Sequence, residues 1–217
     1  MSSSAQQHEA TFAEGAKHLL LTAERLFSEQ GIESVSTRMI SRESGQKNHS
    51  ALQYHFGSRD GLIEAILNYR ISPVNQERSR RLTLLKRRGR NIDVEQLVRI
   101  FVEPFSEELL KPLSETAYVS LLAQLYSYQR GRELFAKNKE RTRALHDITA
   151  LLIRALEPME VPVIHLRLQL LGRQTITAIA EWDDARRNHS IELDETAWRW
   201  RTDNLIEFLV GGLTAKK

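Results

Sequence analysis

The fold turns on the stretch "STRMISRESGQKNHSALQYHFGSRDGLIEAILNYRIS", residues 36–72. Ser36 or Thr37 stands where a helix N-cap is expected, ahead of "TRMISRES", whose Met39, Ile40 and Ser44 fall on one face and which Gly45 ends. A second short helix is expected from about Asn48 or His49 to His55, with Ala51 and Leu52 as its aliphatic residues. "GSRDG" reads as a turn, and Ser58 is placed to cap "RDGLIEAILNYRIS", in which Leu62, Ile63, Ile66 and Leu67 make an apolar face. Pro73 is expected to kink or interrupt that helix. Upstream, "AKHLLLTAERLFSEQG" sets Leu19, Leu20, Ala23, Leu26 and Phe27 on one face, with Gly31 as the stop. Three helices and the start of a fourth, with a glycine turn inside the middle pair, form the pattern of a helix-turn-helix.

Beyond this head the chain keeps its helical period. Segments are expected at about 94–111, 115–129, 138–156, 160–188 and 194–214, punctuated by Pro104, Pro112, Pro158 and Pro162, with little of the alternation that strands show. The fold class is therefore all-α: a tri-helical helix-turn-helix head at 14–60, preceded by a disordered tail at 1–13 and followed by a helical bundle body at 61–217. The run "KRRGR" reads as a solvated helix end or loop. The last two long segments, "HLRLQLLGRQTITAIAEW" and "AWRWRTDNLIEFLVGGL", combine apolar faces with small residues and suit a two-fold, four-helix interface. Trp198 and Trp200, two apart, cannot share a helix face, so one is expected inside the subunit and the other against a partner.

Composition bounds the function. Residues 1–90 hold 14 Lys/Arg against 9 Asp/Glu, a net +5, and the remainder holds 17 against 19, a net −2. A basic head on a slightly acidic body fits nucleic-acid binding. The absence of cysteine excludes disulfides, thiolate zinc sites and a cysteine nucleophile, and fits a cytoplasmic protein. No apolar run is long enough to span a membrane, and the N-terminus lacks the basic start and apolar core of a signal peptide.

Over Ala23 to Leu62 the chain resembles the TetR/AcrR family of bacterial transcriptional regulators. "AERLFSEQGIESVSTRMISRESG" is similar to the family's first helix, glycine and second helix, and "ALQYHFGSRDGLIEAIL" to the end of its recognition helix and the entry to its fourth. Two departures stand out: "GQKNHSALQYHF" is one residue longer than the family's usual turn and helix, and Gln53 stands at a customary tyrosine. Gln46 also replaces the aliphatic residue that usually plugs the turn into the core. The resemblance covers about 50 residues; the rest matches the family only in length and helical character.

A head of this kind lays its third helix in the major groove and holds the backbone with its second. Lys47, Asn48, His49 and Ser50 then open the third helix; Gln46 and Asn48 suit adenine, Lys47 suits guanine or a phosphate, and Gln53 a base edge or the groove wall. Ser36, Thr37 and Arg38 suit a phosphate, and Tyr54, His55 and Arg59 complete the backbone clamp, with Arg59 the leading phosphate candidate. Leu26, Phe27, Ile40, Leu52 and Phe56 are expected in the core. From the resemblance also follow a homodimer on a palindromic DNA operator, repression, and a small-molecule effector in the body, where Phe101, Phe105, Tyr118, Tyr126 and Tyr128 are the candidate lining.

Other functions were weighed against the same residues. His49 and His55 are six apart with no carboxylate pair nearby, and His146, His165 and His189 are scattered, so no metal site and no cofactor is expected. No nucleophile elbow, phosphate loop or HExxH segment occurs, and Asp183 and Asp184 read as a solvated helix edge, so no enzyme is expected. An activator, a ligand-independent regulator, and a helical protein-interaction module with a basic head remain alternatives.

Overall fold

In the computed structural model of the chain, residues 2–45, 51–89 and 91–216 are described, with side chains from Glu14 onward. Among the described residues the architecture is all α-helical, without strands. The head holds α1 (Ser2–Gln30), α2 (Thr37–Glu43) and α3 (Ala51–Phe56). The body holds α4 (Arg59–Arg87), α5 (Val94–Ser106), α6 (Ala117–Ser127), α7 (Gln129–Ala136), α8 (Lys139–Ala155), α9 (Val161–Arg187) and α10 (Glu195–Thr214), with short 3-10 turns at Glu107–Leu110 and Leu113–Glu115. The backbone of α1 runs through the stretch expected as a tail, where Ala5, Gln6, Gln7, Glu9 and Ala10 are good helix formers.

Caps set the boundaries. Ser36 Oγ accepts from Met39 N at 3.2 Å, Ser58 Oγ from Gly61 N at 3.0 Å, and Asp93 Oδ1 from Gln96 N at 2.8 Å. Gly31, at φ +85°, takes the left-handed turn that ends α1 and donates to Phe27 O at 3.0 Å. Gly61 is needed for a different reason: a Cβ there would strike the Phe56 carbonyl, so α4 can start this close to α3 only without a side chain.

Pro73 neither kinks the helix to a stop nor interrupts it; α4 runs on for 29 residues. Pro73 and Tyr69, whose carbonyl loses its usual partner, both lie on the exposed face, while Ile71 and Val74 stay buried on the other side. At 1.5 Å per residue α4 is about 43 Å long and belongs to both halves of the molecule.

Two hydrophobic clusters hold the bundle. One joins Leu19, Phe27, Ile40 and Leu52 of the head to Leu62 and Ile66 of α4, to Tyr118 and Leu122 of α6, and to Ile179 of α9. The other gathers Leu82 of α4 with α5, α8, α9 and α10, and Trp182 packs against both. The core thus runs from head to body without a break. The residues expected in the head core, Leu26, Phe27, Ile40 and Leu52, are buried, and Phe56 packs at the margin.

Candidate nucleic-acid interface

The described face of the head presents the opening of α2 and the outer side of α3. Ser36, Thr37 and Arg38 are exposed there, although the Ser36 hydroxyl is occupied as the N-cap. On α3, Leu52 points to the core, Gln53 is exposed, and Tyr54 is 74% exposed, edge-on to the half-buried His55 at 5.6 Å. Gln46, Lys47, Asn48, His49 and Ser50 lie outside the described residues. The Arg59 guanidinium lies over the Phe27 ring at 5.6 Å, with Nε and Nη2 buried and without hydrogen-bond partners.

The body grips this head from behind. Gln124 of α6 brackets the end of α1: its Oε1 accepts from Ile32 N and its Nε2 donates to Ser28 O, both at 3.3 Å. Arg130 of α7 pairs with Asp60 at 2.5 Å and Lys137 with Glu64 at 2.6 Å, tying α7 to the first turns of α4. Deeper, Arg70 of α4 donates Nε and Nη2 to both oxygens of Glu24 on α1, at 2.7 and 2.8 Å. Burial lifts the Glu24 carboxyl above its ordinary value, with Arg70 pulling the other way. Burial also opposes the charge on Arg70, but Glu24 outweighs it and the guanidinium pKa is raised, so the ion pair is lost on acidification through protonation of the carboxyl alone.

Asp183 corrects the sequence reading. It is fully buried, not part of a solvated edge: Oδ1 accepts from Thr116 Oγ1 at 2.9 Å and from Arg186 Nη2 at 2.8 Å, and Oδ2 from Arg187 Nε at 2.8 Å. Its neighbour Asp184 is exposed, because adjacent helical residues point to different sides.

The five body aromatics do not form one lining. Phe105 and Tyr118 are buried 6.3 Å apart in the first cluster; Tyr126 packs against Phe135 at 5.2 Å; Tyr128 sits at the corner between α6 and α7; Phe101 belongs to the second cluster. Beside Phe101 lies a buried cation, Arg78, which was not among the sequence candidates. Its guanidinium lies over Phe101 at 5.1 Å and donates to Phe101 O at 3.0 and 2.7 Å, and to Asn75 Oδ1 at 2.8 Å. Burial pulls its pKa down to about 10, with Tyr118 and Tyr126 working against the shift. A signal for it exists: Ile71, Asn75, Arg78 and Leu82 follow a helical period, which places Arg78 on the inward stripe.

Among the described residues no three His, Asp or Glu side chains gather as metal ligands, and no helix is long and apolar enough to cross a membrane.

Residues 19–66 match the family model for bacterial regulatory proteins of the tetR family. A comparison with curated protein sequences gave no match. Among solved structures, the chain is similar to a protein from Shewanella sp. PV-4 assigned to tetR family transcription regulators, at 20% identity and a TM-score of 0.59, over 88% of this chain and 95% of that one. It is also similar to one from Rhodococcus sp. assigned to TetR-family transcriptional regulators, at 17% identity and a TM-score of 0.51, over 93% of this chain and 97% of that one. At such identities these likenesses bear on the fold alone, over about nine tenths of the chain, and the family model adds a sequence similarity confined to the head and the start of α4. From Leu19 in α1 to Ile66 in α4, this protein is similar in sequence to the tetR family of bacterial regulatory proteins.

Proposed function

We propose that the chain is a homodimeric transcriptional repressor whose two heads grip a palindromic operator and are released when a small molecule binds the body. The observation that carries this reading is an uncovered apolar face on α9 and α10, in a molecule whose head resembles a DNA-binding family. Leu166 is 60% exposed, Trp200 66% and Phe208 67%, and a narrow apolar groove runs between Leu170 and Phe208 beside Gly212. Exposed apolar side chains clustered on two long helices favour association with a second copy. Trp198 is buried and Trp200 exposed, consistent with one facing the subunit core and one a partner.

In this reading Thr37, Arg38 and Tyr54 meet the DNA backbone and Gln53 meets the groove, together with the residues from Gln46 to Ser50. Two half-sites about one helical turn or somewhat more apart would match the dimer. Selecting duplexes from a random pool tests the proposal: a recurring palindrome bound with strong salt dependence is expected, and no enrichment would sink it. Phe208→Asp should shift the protein to a monomer in sedimentation and weaken binding to the selected duplex; an unchanged dimer would remove α9 and α10 from the interface.

A further inference from the structure

We infer that the groove between α4 and α8, floored by Arg141, is a binding site for a small hydrophilic anion, a carboxylate or phosphate monoester. Arg141 is 3% exposed. Its Nη1 donates to Asn68 Oδ1 and its Nη2 to the carbonyl oxygens of Leu134 and Phe135, each at 2.7 Å, while its Nε is buried without a partner. Among the described residues no carboxylate bonds to it. Glu64 acts on it only through space and is itself paired with Lys137. The two carbonyls end α7 and offer a helix dipole, which offsets about half a charge at most.

Arg78 is in the same condition, and the two are linked. Asn75 accepts from Arg78 through Oδ1 and donates to the Arg141 backbone carbonyl through Nδ2, so a neutral amide ties the Arg78 guanidinium to the main chain that carries Arg141. Other arginines here are treated differently. Arg70 has Glu24, Arg186 and Arg187 have Asp183, and Arg81, three residues from Arg78, has Glu77, Glu103 and Glu107. Buried charge without a counter-charge is costly, and a bound anion is one way to supply it.

The groove beside this pair has the matching chemistry. It measures about 420 Å³ and is lined by Ser72, Gln76 and Ser79 of α4 and by Glu140, Arg141 and Arg143 of α8, where Asn138 caps the helix by accepting from Arg141 N at 3.0 Å. Hydroxyls, amides and guanidinium groups face it, Glu140 is its one acid, and Ala144 its one apolar wall residue. A greasy ligand finds nothing here to bury against, whereas an anion bearing hydroxyls finds donors, a buried positive charge and a helix N-terminus. That such an anion would be the effector rests on the regulatory reading above; that it binds does not.

Thermal unfolding of the full chain in sodium citrate, glucose 6-phosphate or inorganic phosphate, each against sodium chloride at matched ionic strength, tests the site and separates carboxylate from phosphate. A saturable rise of about 5–10 °C at a hundredfold excess over the dissociation constant is expected for at least one of them. Ser79→Tyr and Arg143→Glu alter the exposed wall without entering the core. Both should keep the melting point in chloride and lose the anion-specific rise. No rise beyond chloride with any of the three, or a rise that both variants retain, overturns the site. The measurement contains no DNA, so it stands or falls apart from the operator selection. An anion that binds yet leaves affinity for the selected duplex unchanged overturns its effector role alone.

Discussion

Two buried charge centres in this molecule are built in opposite ways. At the seam of α1, α4, α6 and α9, Glu24 meets Arg70 and Asp183 meets Arg186 and Arg187, so each cation has a carboxylate. Between α4, α5 and α8, Arg78 and Arg141 are satisfied by backbone carbonyls and by Asn68 and Asn75, and among the described residues no carboxylate bonds to either. Hydrogen bonding is nearly complete in both, but only the seam supplies carboxylates, two of them shared by three guanidiniums. The seam is a fixed joint that locks the head to the body. The second centre is open to compensation from outside, and α4, which carries it, begins where the head ends.

The largest effect expected from breaking this contrast comes from the closed centre. Asp183→Ala strips Thr116, Arg186 and Arg187 of their acceptor and leaves buried cations unpaired, a loss of about 3–5 kcal/mol. In thermal unfolding this is about 10 °C or more. Arg78→Met should cost less, about 1–2 kcal/mol, because relief of an uncompensated buried charge offsets the lost bonds to Phe101 O and Asn75. Equal losses for the two variants would show that both centres are closed.

A subtler change sharpens the same contrast. Asn75→Asp puts a carboxylate against the Arg78 guanidinium and into the lining of the groove, and should weaken the anion-dependent rise in melting point at least severalfold. The smallest effect concerns pH. The folded pKa of Glu24 lies above the ordinary glutamate value, so between those two values the folded state holds a proton that the unfolded chain lacks. The stability this contributes is complete below the ordinary value and is lost as pH rises through the folded one. The melting-point advantage of the native chain over Glu24→Gln should therefore shrink from pH 4.5 to pH 7, and a growing advantage would reverse the assignment.

Much of the scaffold was legible in advance because it depends on local chemistry. The apolar faces at Leu19–Phe27 and Leu62–Leu67, the Ser58 cap and the Gly31 stop all appear as expected, and α8, α9 and α10 begin and end within a residue of the segments read from the period. α7 was missed. It is eight residues long and contains Gly131, a weak local signal, and it is held in place by Leu134 and Phe135 packing on distant helices. Arg59 was legible as a cation at the start of α4 but not as one turned onto Phe27, since that depends on how closely α1 and α4 approach.

From sequence alone came the helix-turn-helix, the all-helical body and the apolar character of the last two helices, because caps, glycine stops and a 3.6-residue period act within a turn or two of chain. Only the tertiary structure decided which charges are paired. Within "RSRRL", residues 78–82, Arg80 is exposed, Arg81 meets three carboxylates and Arg78 is sealed inside against a backbone carbonyl and an amide. Asp183 finds Thr116 from 67 residues away. Local pattern specifies which side of a helix is greasy; the dielectric around a charge, and the counter-charge beside it, are set by segments far apart in the chain.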